Sequence, residues 1–192
     1  MEAFFTSTLL VAVAEIGDKT QLLAILLAAR FKRPWPILAG ILVATLANHA
    51  LAALAGYWIA GLVEGAWFRI AVALAFIAMA IWALIPDKHD DDKAAKAVTS
   101  AWGVFVATTI AFFLVEIGDK TQVATIALAA RFEAVASVAV GTTLGMMIAN
   151  APAIWLGERA ARVLPMSAVR IVAALIFLAL GIWALLDALR II

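Results

Sequence analysis

The chain has 192 residues, of which 67% are hydrophobic and only 14% charged, with a formal net charge of +1 and no cysteine. A soluble domain is about 45–50% apolar and about 25% charged, so with a mean hydropathy of +1.09 the solvent for most of this chain must be lipid. The composition excludes disulfides, thiolate metal sites and cysteine nucleophiles, and the balanced charge gives no basic footprint for nucleic acid.

Six apolar segments follow one another at about 4–29, 36–61, 67–86, 102–130, 135–161 and 167–189, with ends read to about 2–4 residues. The breaks "RFKRPWP", "GLVEGAWFR", "PDKHDDDKAAK", "RFEA" and "ERAARVLPMS" carry charge, Gly or Pro, as water-exposed connections do. The apolar runs are continuous and rich in Ala, Leu and Ile rather than alternating, which argues for helices over barrel strands. The opening "MEAFFTSTLL" carries an acid where a signal peptide has a positive stretch, so it reads as the start of the first span. Trp35, Trp67 and Trp102 fall near span ends, where an aromatic belt is expected.

The chain repeats itself. A shift of 101 positions brings Glu15 onto Glu116, Arg30-Phe31 onto Arg131-Phe132, Gly40 onto Gly141, Gly56 onto Gly157 and Arg69 onto Arg170. It also aligns "IWAL" at 81–84 with "IWAL" at 182–185, and about a third of the aligned positions are identical, which marks an internal duplication. The predicted division is repeat 1 over 1–86, an acidic linker over 87–101 and repeat 2 over 102–192. Three spans per repeat is an odd number, so the second half enters the membrane from the opposite side, as in many secondary transporters. The predicted fold is therefore an all-α integral membrane protein with six transmembrane helices in two inverted-topology three-helix repeats. The loops after spans one, three and five hold Arg30, Lys32, Arg33, Lys88, Lys93, Lys96, Arg159 and Arg162, against mainly Arg69, Arg131 and Arg190 on the other side. That bias places the acidic linker in the cytoplasm and both termini outside.

The stretch "EIGDKTQ" occurs twice, at 15–21 and 116–122, near the middle of spans one and four. On a continuous helix Glu15 and Asp18 share one face, with Lys19 four residues from Glu15. One acid in mid-membrane costs about 2.5–3.5 kcal/mol, so Glu15, Asp18, Glu116 and Asp119 together cost roughly 10–14 kcal/mol if they face lipid. Pooled across the repeat interface, the four make a cation site. Thr20, Thr121, Gln21, Gln122 and Asn150 offer further oxygens, and Gly17 and Gly118 let the helix loosen. Oxygen donors suit Ca2+, Mn2+ or Mg2+ rather than Cu+ or Zn2+. With Lys19 and Lys120 charged, the four acids leave −2, which one divalent ion neutralises. Without the ion, crowded carboxylates take up protons, so metal and proton compete for one site, and Glu15 and Glu116 are the expected proton carriers. A purely structural reading makes Glu15–Lys19 and Glu116–Lys120 helix-stapling pairs; two mirrored copies with surplus acid weigh against it.

The doubled motif, in a six-span chain of this size, resembles the signature E-x-G-D-[K/R]-[T/S] of the Gdt-type divalent-cation/proton antiporters. That family includes bacterial manganese exporters, a chloroplast manganese transporter and Golgi calcium/manganese transporters. The resemblance covers essentially the whole chain. It implies that Glu15, Asp18, Glu116 and Asp119 carry the ion, that a member of bacterial size exports Mn2+ against protons, and that it sits in the bacterial inner membrane.

Asn48, His49 and Asn150 lie in spans two and five, as cavity lining or as hydrogen bonds between packed helices; Lys19, Lys120, Asn48 and His49 are assigned charge balance or gating. Thr45, Thr142 and Thr143 are further oxygens, Met146 and Met147 read as packing, and Pro152 with Gly141 and Gly145 bends span five. Asp90, Asp91 and Asp92 lack the spacing of an EF-hand loop and read as solvated linker. No enzyme signature, cofactor site or obligate protein partner is evident, so the predicted partners are the metal ion, protons and the bilayer. A small-solute exporter and a non-transporting scaffold are the competing readings.

Overall fold

The computed structural model describes residues 1–62, 65–85, 100–156 and 166–189; residues 87–99 of the acidic linker and the arginines 159, 162 and 190 lie outside them. Eight helices occur among the described residues, with no strand: α1 (Glu2–Ala14), α2 (Lys19–Phe31), α3 (Pro34–Leu62), α4 (Ala66–Ala83), α5 (Ala101–Glu116), α6 (Lys120–Phe132), α7 (Val135–Leu156) and α8 (Met166–Ala188). Four of them, α3, α4, α7 and α8, are long and apolar enough to cross a bilayer. Together α5 and α6 make a fifth crossing length, bent by 70° at their junction. The continuous apolar stretches 4–29 and 102–130 are therefore two helices each, broken at the motif.

Local sequence explains several boundaries. Pro34 opens α3 at the position where its missing N–H costs nothing and its φ is preset. Ser100 caps α5, its hydroxyl accepting from the Gly103 N–H at 3.0 Å. α2 and α6 both end in a left-handed residue, Lys32 (φ 51°) and Glu133 (φ 52°), whose N–H bonds the carbonyl of Ala28 or Ala129 at 2.9 Å. These two residues are repeat mates, so the duplication extends to backbone conformation.

The packing crosses between the halves. α1 lies along α7, α5 along α3, and α4 along α8. Small residues set the first two contacts: a Cβ on Gly141 would stand 2.7 Å from the Phe4 carbonyl, and one on its mate Gly40 2.9 Å from the Phe105 carbonyl. Such close approach is how helices associate where lipid removes the hydrophobic drive between them. Burial is inverted relative to a soluble protein. Leu9, Leu26, Trp58 and Leu62 are exposed, while Glu15, Thr45, Asn48, His49, Glu116, Thr142 and Asn150 are buried. An apolar exterior around a polar centre is what a bilayer requires.

Candidate metal centre

The motif is a helix stop followed by a helix start. In the first copy α1 ends at Ala14, Gly17 turns the chain at φ +80°, and Asp18 adopts extended backbone (φ −77°, ψ 167°) as N-cap of α2. In the second copy α5 ends at Glu116, Gly118 turns at φ +77°, and Asp119 (φ −77°, ψ 163°) caps α6. Only glycine adopts that left-handed turn without steric cost. The glutamine completes each junction: Gln21 Oε1 accepts from the Gly17 N–H at 2.8 Å, and Gln122 Oε1 from the Gly118 N–H at 2.7 Å. Asp119 accepts from the Thr121 hydroxyl at 3.1 Å. Glu15 and Asp18 thus stand on either side of a break instead of on one helical face. The signal was present in the sequence: a glycine before D-K-T-Q is a helix terminator followed by a capping-box pattern.

The breaks bring acids of both halves together. Carboxylate oxygens of Glu15, Asp18 and Asp119 lie within 4.8 Å of one another, and all three residues are buried. The Thr20 hydroxyl donates to Glu15 Oε2 and also lies 3.5 Å from Asp18 Oδ2. Glu15 Oε1 is buried with no hydrogen-bond partner, a costly state for a carboxylate oxygen unless a cation or proton occupies it. Asp18 and Asp119 sit at helix N-termini, whose amides and dipole favour negative charge. Lys19 Nζ is 2.9 Å from Asp119 Oδ1, a contact between the halves, where its spacing suggests a turn-to-turn staple to Glu15.

Glu116 stands apart from this trio. It accepts from Thr45 Oγ1 at 2.6 Å and from Asn48 Nδ2 at 3.2 Å, both on α3, and Asn48 also donates to the Phe113 carbonyl at 2.9 Å. Lys120 Nζ donates to the Ile85 carbonyl at 3.2 Å. Gln21 Nε2 donates to the Ala149 carbonyl at 2.9 Å, which docks α2 on α7 one residue before Asn150. The Asn150 amide donates to the Met146 carbonyl at 3.1 Å, and its Oδ1 is buried without a partner. His49 is fully buried and neither ring nitrogen has a hydrogen-bond partner. Thr142 and Thr143 bond carbonyls of their own helix, and Met146 is core.

A buried trio of hard oxygen donors beside one ammonium can hold a divalent cation, and the same oxygens can hold protons. Comparison with known proteins agrees with that chemistry. The family profile described as "Divalent cation/proton antiporter GDT1" matches residues 3–91 and again residues 104–191. A Vibrio cholerae serotype O1 protein named "Putative manganese exporter" is 46% identical over 183 residues, covering 95% of this chain and 90% of that protein. The "GDT1-like protein sll0615" of Synechocystis is 31% identical over 194 residues, covering 92% of this chain and 93% of its own. A rice protein, "GDT1-like protein 4" of Oryza sativa subsp. indica, is 28% identical over 200 residues, covering 92% of this chain and 70% of its own. No solved structure matches. With both halves matched by one profile and relatives aligned almost end to end, the chain belongs to the GDT1 family of divalent cation/proton antiporters, and is a transporter and not an enzyme.

Proposed function

We propose that this protein exports Mn2+ from the cytoplasm in exchange for protons, with Glu15, Asp18 and Asp119 as the ion's carboxylate ligands. The convergence of three buried acids from two repeats within 4.8 Å carries the reading. Together with Lys19 they sum to −2, the charge one divalent ion cancels. Mn2+ is preferred over Ca2+ on the name of the Vibrio relative, since both ions accept the same oxygens. Thr20 fixes the Glu15 carboxylate, and its hydroxyl is a further possible ligand together with Thr121 and Asn150. Gln21 and Gln122 serve the metal indirectly, by holding the two breaks.

Glu116 is the proton carrier. Its two hydrogen bonds from Thr45 and Asn48 suit a carboxylate that alternates between ionised and protonated forms without leaving its place. Arrival of protons from outside discharges the acids and releases the metal; proton loss to the cytoplasm recharges them. The proposed frame is six spans in two inverted repeats, with α1–α2 and α5–α6 as the two broken spans. It is supported by the 101-residue repeat, by the mirrored breaks and by the cross-packing of the halves. Residues 1–86 and 102–192 form the repeats, the linker between them lies in the cytoplasm, both termini lie outside, and the membrane is a bacterial inner membrane.

Reconstitution into liposomes with an imposed pH gradient tests the proposal. An acidic lumen should accelerate Mn2+ accumulation, and Asp119→Asn should abolish it. Failure of both Mn2+ and Ca2+ to move would sink the reading and return the small-solute exporter to consideration.

A further inference from the structure

We propose that Arg131, Asp187 and Trp183 form the outer gate of the transport path, closed in this structure; the inference rests on the antiporter reading above. Two cavities flank the α4–α8 pair. One, about 30 Å3, is walled by Gly17, Asp18, Ala83, Lys120, Arg170 and Ala173 among others. It has room for one or two waters directly beside a carboxylate of the acid trio. The other, about 420 Å3, is walled by Arg69, Val72, Ala130, Arg131, Ala184 and Asp187 among others. Arg69, Val72 and Ala184 are the repeat mates of Arg170, Ala173 and Ala83. The two cavities therefore share three equivalent wall positions, at opposite ends of the α4–α8 pair. They differ in volume and in the rest of their walls: the small one reaches a break, whereas no residue of either E-I-G-D turn lines the large one. The end of α6 stands in its wall instead.

Identical sequence makes the comparison sharp. "AARF" closes α2 at 28–31 and α6 at 129–132. Ala129 and Ala130 on α6 are buried where their mates Ala28 and Ala29 on α2 are half-buried and exposed, and Arg131 is half-buried where Arg30 is exposed. Arg131 is held, with Nη2 3.2 Å from the Asp187 carboxylate and the guanidinium 4.5 Å from the Trp183 ring centroid. Trp183 has a mate in Trp82, but the mate of Asp187 is Pro86, so only the α6 end can make the ion pair. Equal sequences in unequal places mark one of two conformations, and exchanging the placements gives the other. In that second conformation the α6 end withdraws and the large cavity joins Asp119 as the small one joins Asp18. Both partners are part-exposed, at 25% and 39%, and an ion pair so solvated contributes little net stability. That suits a latch broken once per cycle.

The absence of cysteine allows a direct test with single introduced thiols. Leu180 is the mate of Met79, which lines the small cavity, and so should line the path only when the gate is open. Leu180→Cys is labelled with a membrane-impermeant maleimide, in right-side-out and inverted vesicles. Added to Leu180→Cys, Asp187→Asn should raise labelling from the Arg131 side about twofold to fivefold. Arg131→Ala, which also removes the ring contact, should raise it about tenfold. Unchanged Leu180→Cys labelling, or an equal rise from both sides of the membrane, overturns the gate. Mn2+ binding by the solubilised variants, read by electron paramagnetic resonance, should match the wild type. If the wild type itself binds no Mn2+, it is the antiporter reading that fails, whatever the labelling shows.

Discussion

Replacing Gly118 by alanine has opposite consequences in an unbroken helix and in the broken one observed. Within a continuous helix, alanine is the better residue by about 1 kcal/mol, so the change stabilises. At φ +77° the new Cβ crowds its own backbone, at a cost of about 1–2 kcal/mol. Nothing lies within 4 Å of that Cβ position, so packing neither adds to this cost nor relieves it. For a chain of this length each kcal/mol moves the melting temperature by about 2–4 °C, and Gly118→Ala should melt several degrees lower. Gly17→Ala, at φ +80°, should behave alike, and Gly118→Asn should lie between, because asparagine tolerates left-handed backbone. Thermal unfolding in detergent, followed through the seven tryptophans, measures this. Alanine variants as stable as the wild type, or more stable, would refute the broken helix and with it the placement of Asp119 at a helix N-terminus.

Three further outcomes follow from the site. Glu116→Gln should bind Mn2+ within about threefold of wild type, since Glu116 lies outside the trio, yet lose the acceleration by a pH gradient while Mn2+/Mn2+ exchange persists; loss of binding would return Glu116 to the ligand set. Lys19→Ala removes the ammonium 2.9 Å from Asp119, so Mn2+ affinity should rise and turnover fall, both read from liposome flux; weaker binding contradicts the charge balance. Mn2+ affinity should increase with pH, because each ligand must shed its proton before it coordinates; affinity that is flat between about pH 5 and 8 removes the competition between metal and proton.

Much of this architecture is legible in the sequence because the duplication is: Glu15 onto Glu116 and Arg69 onto Arg170 define the two halves before any coordinates. The helix breaks were half legible. Gly17 and Gly118 read as points of loosening, but the continuous apolar periodicity hid the stop, and the bonds from the Gly17 and Gly118 N–H to Gln21 and Gln122 were not foreseen. The inequality of the acids was not legible at all. Glu15 and Glu116 sit in identical heptapeptides, and only tertiary packing gives Glu116 to Thr45 and Asn48 while Glu15 joins Asp18 and Asp119. The unequal ends of α2 and α6 are hidden for the same reason: a repeated sequence fixes two equivalent placements, and only the conformation adopted decides which copy is docked.

In the proposed site the two repeats hold one divalent ion between Glu15, Asp18 and Asp119, whose carboxylate oxygens converge within 4.8 Å. Anomalous diffraction from crystals soaked in Mn2+ measures it directly. One strong peak is expected at coordination distance, about 2.0–2.6 Å, from carboxylate oxygens of all three residues, lost in Asp119→Asn. A peak bound only by residues of one repeat, or none within the bundle, would contradict it.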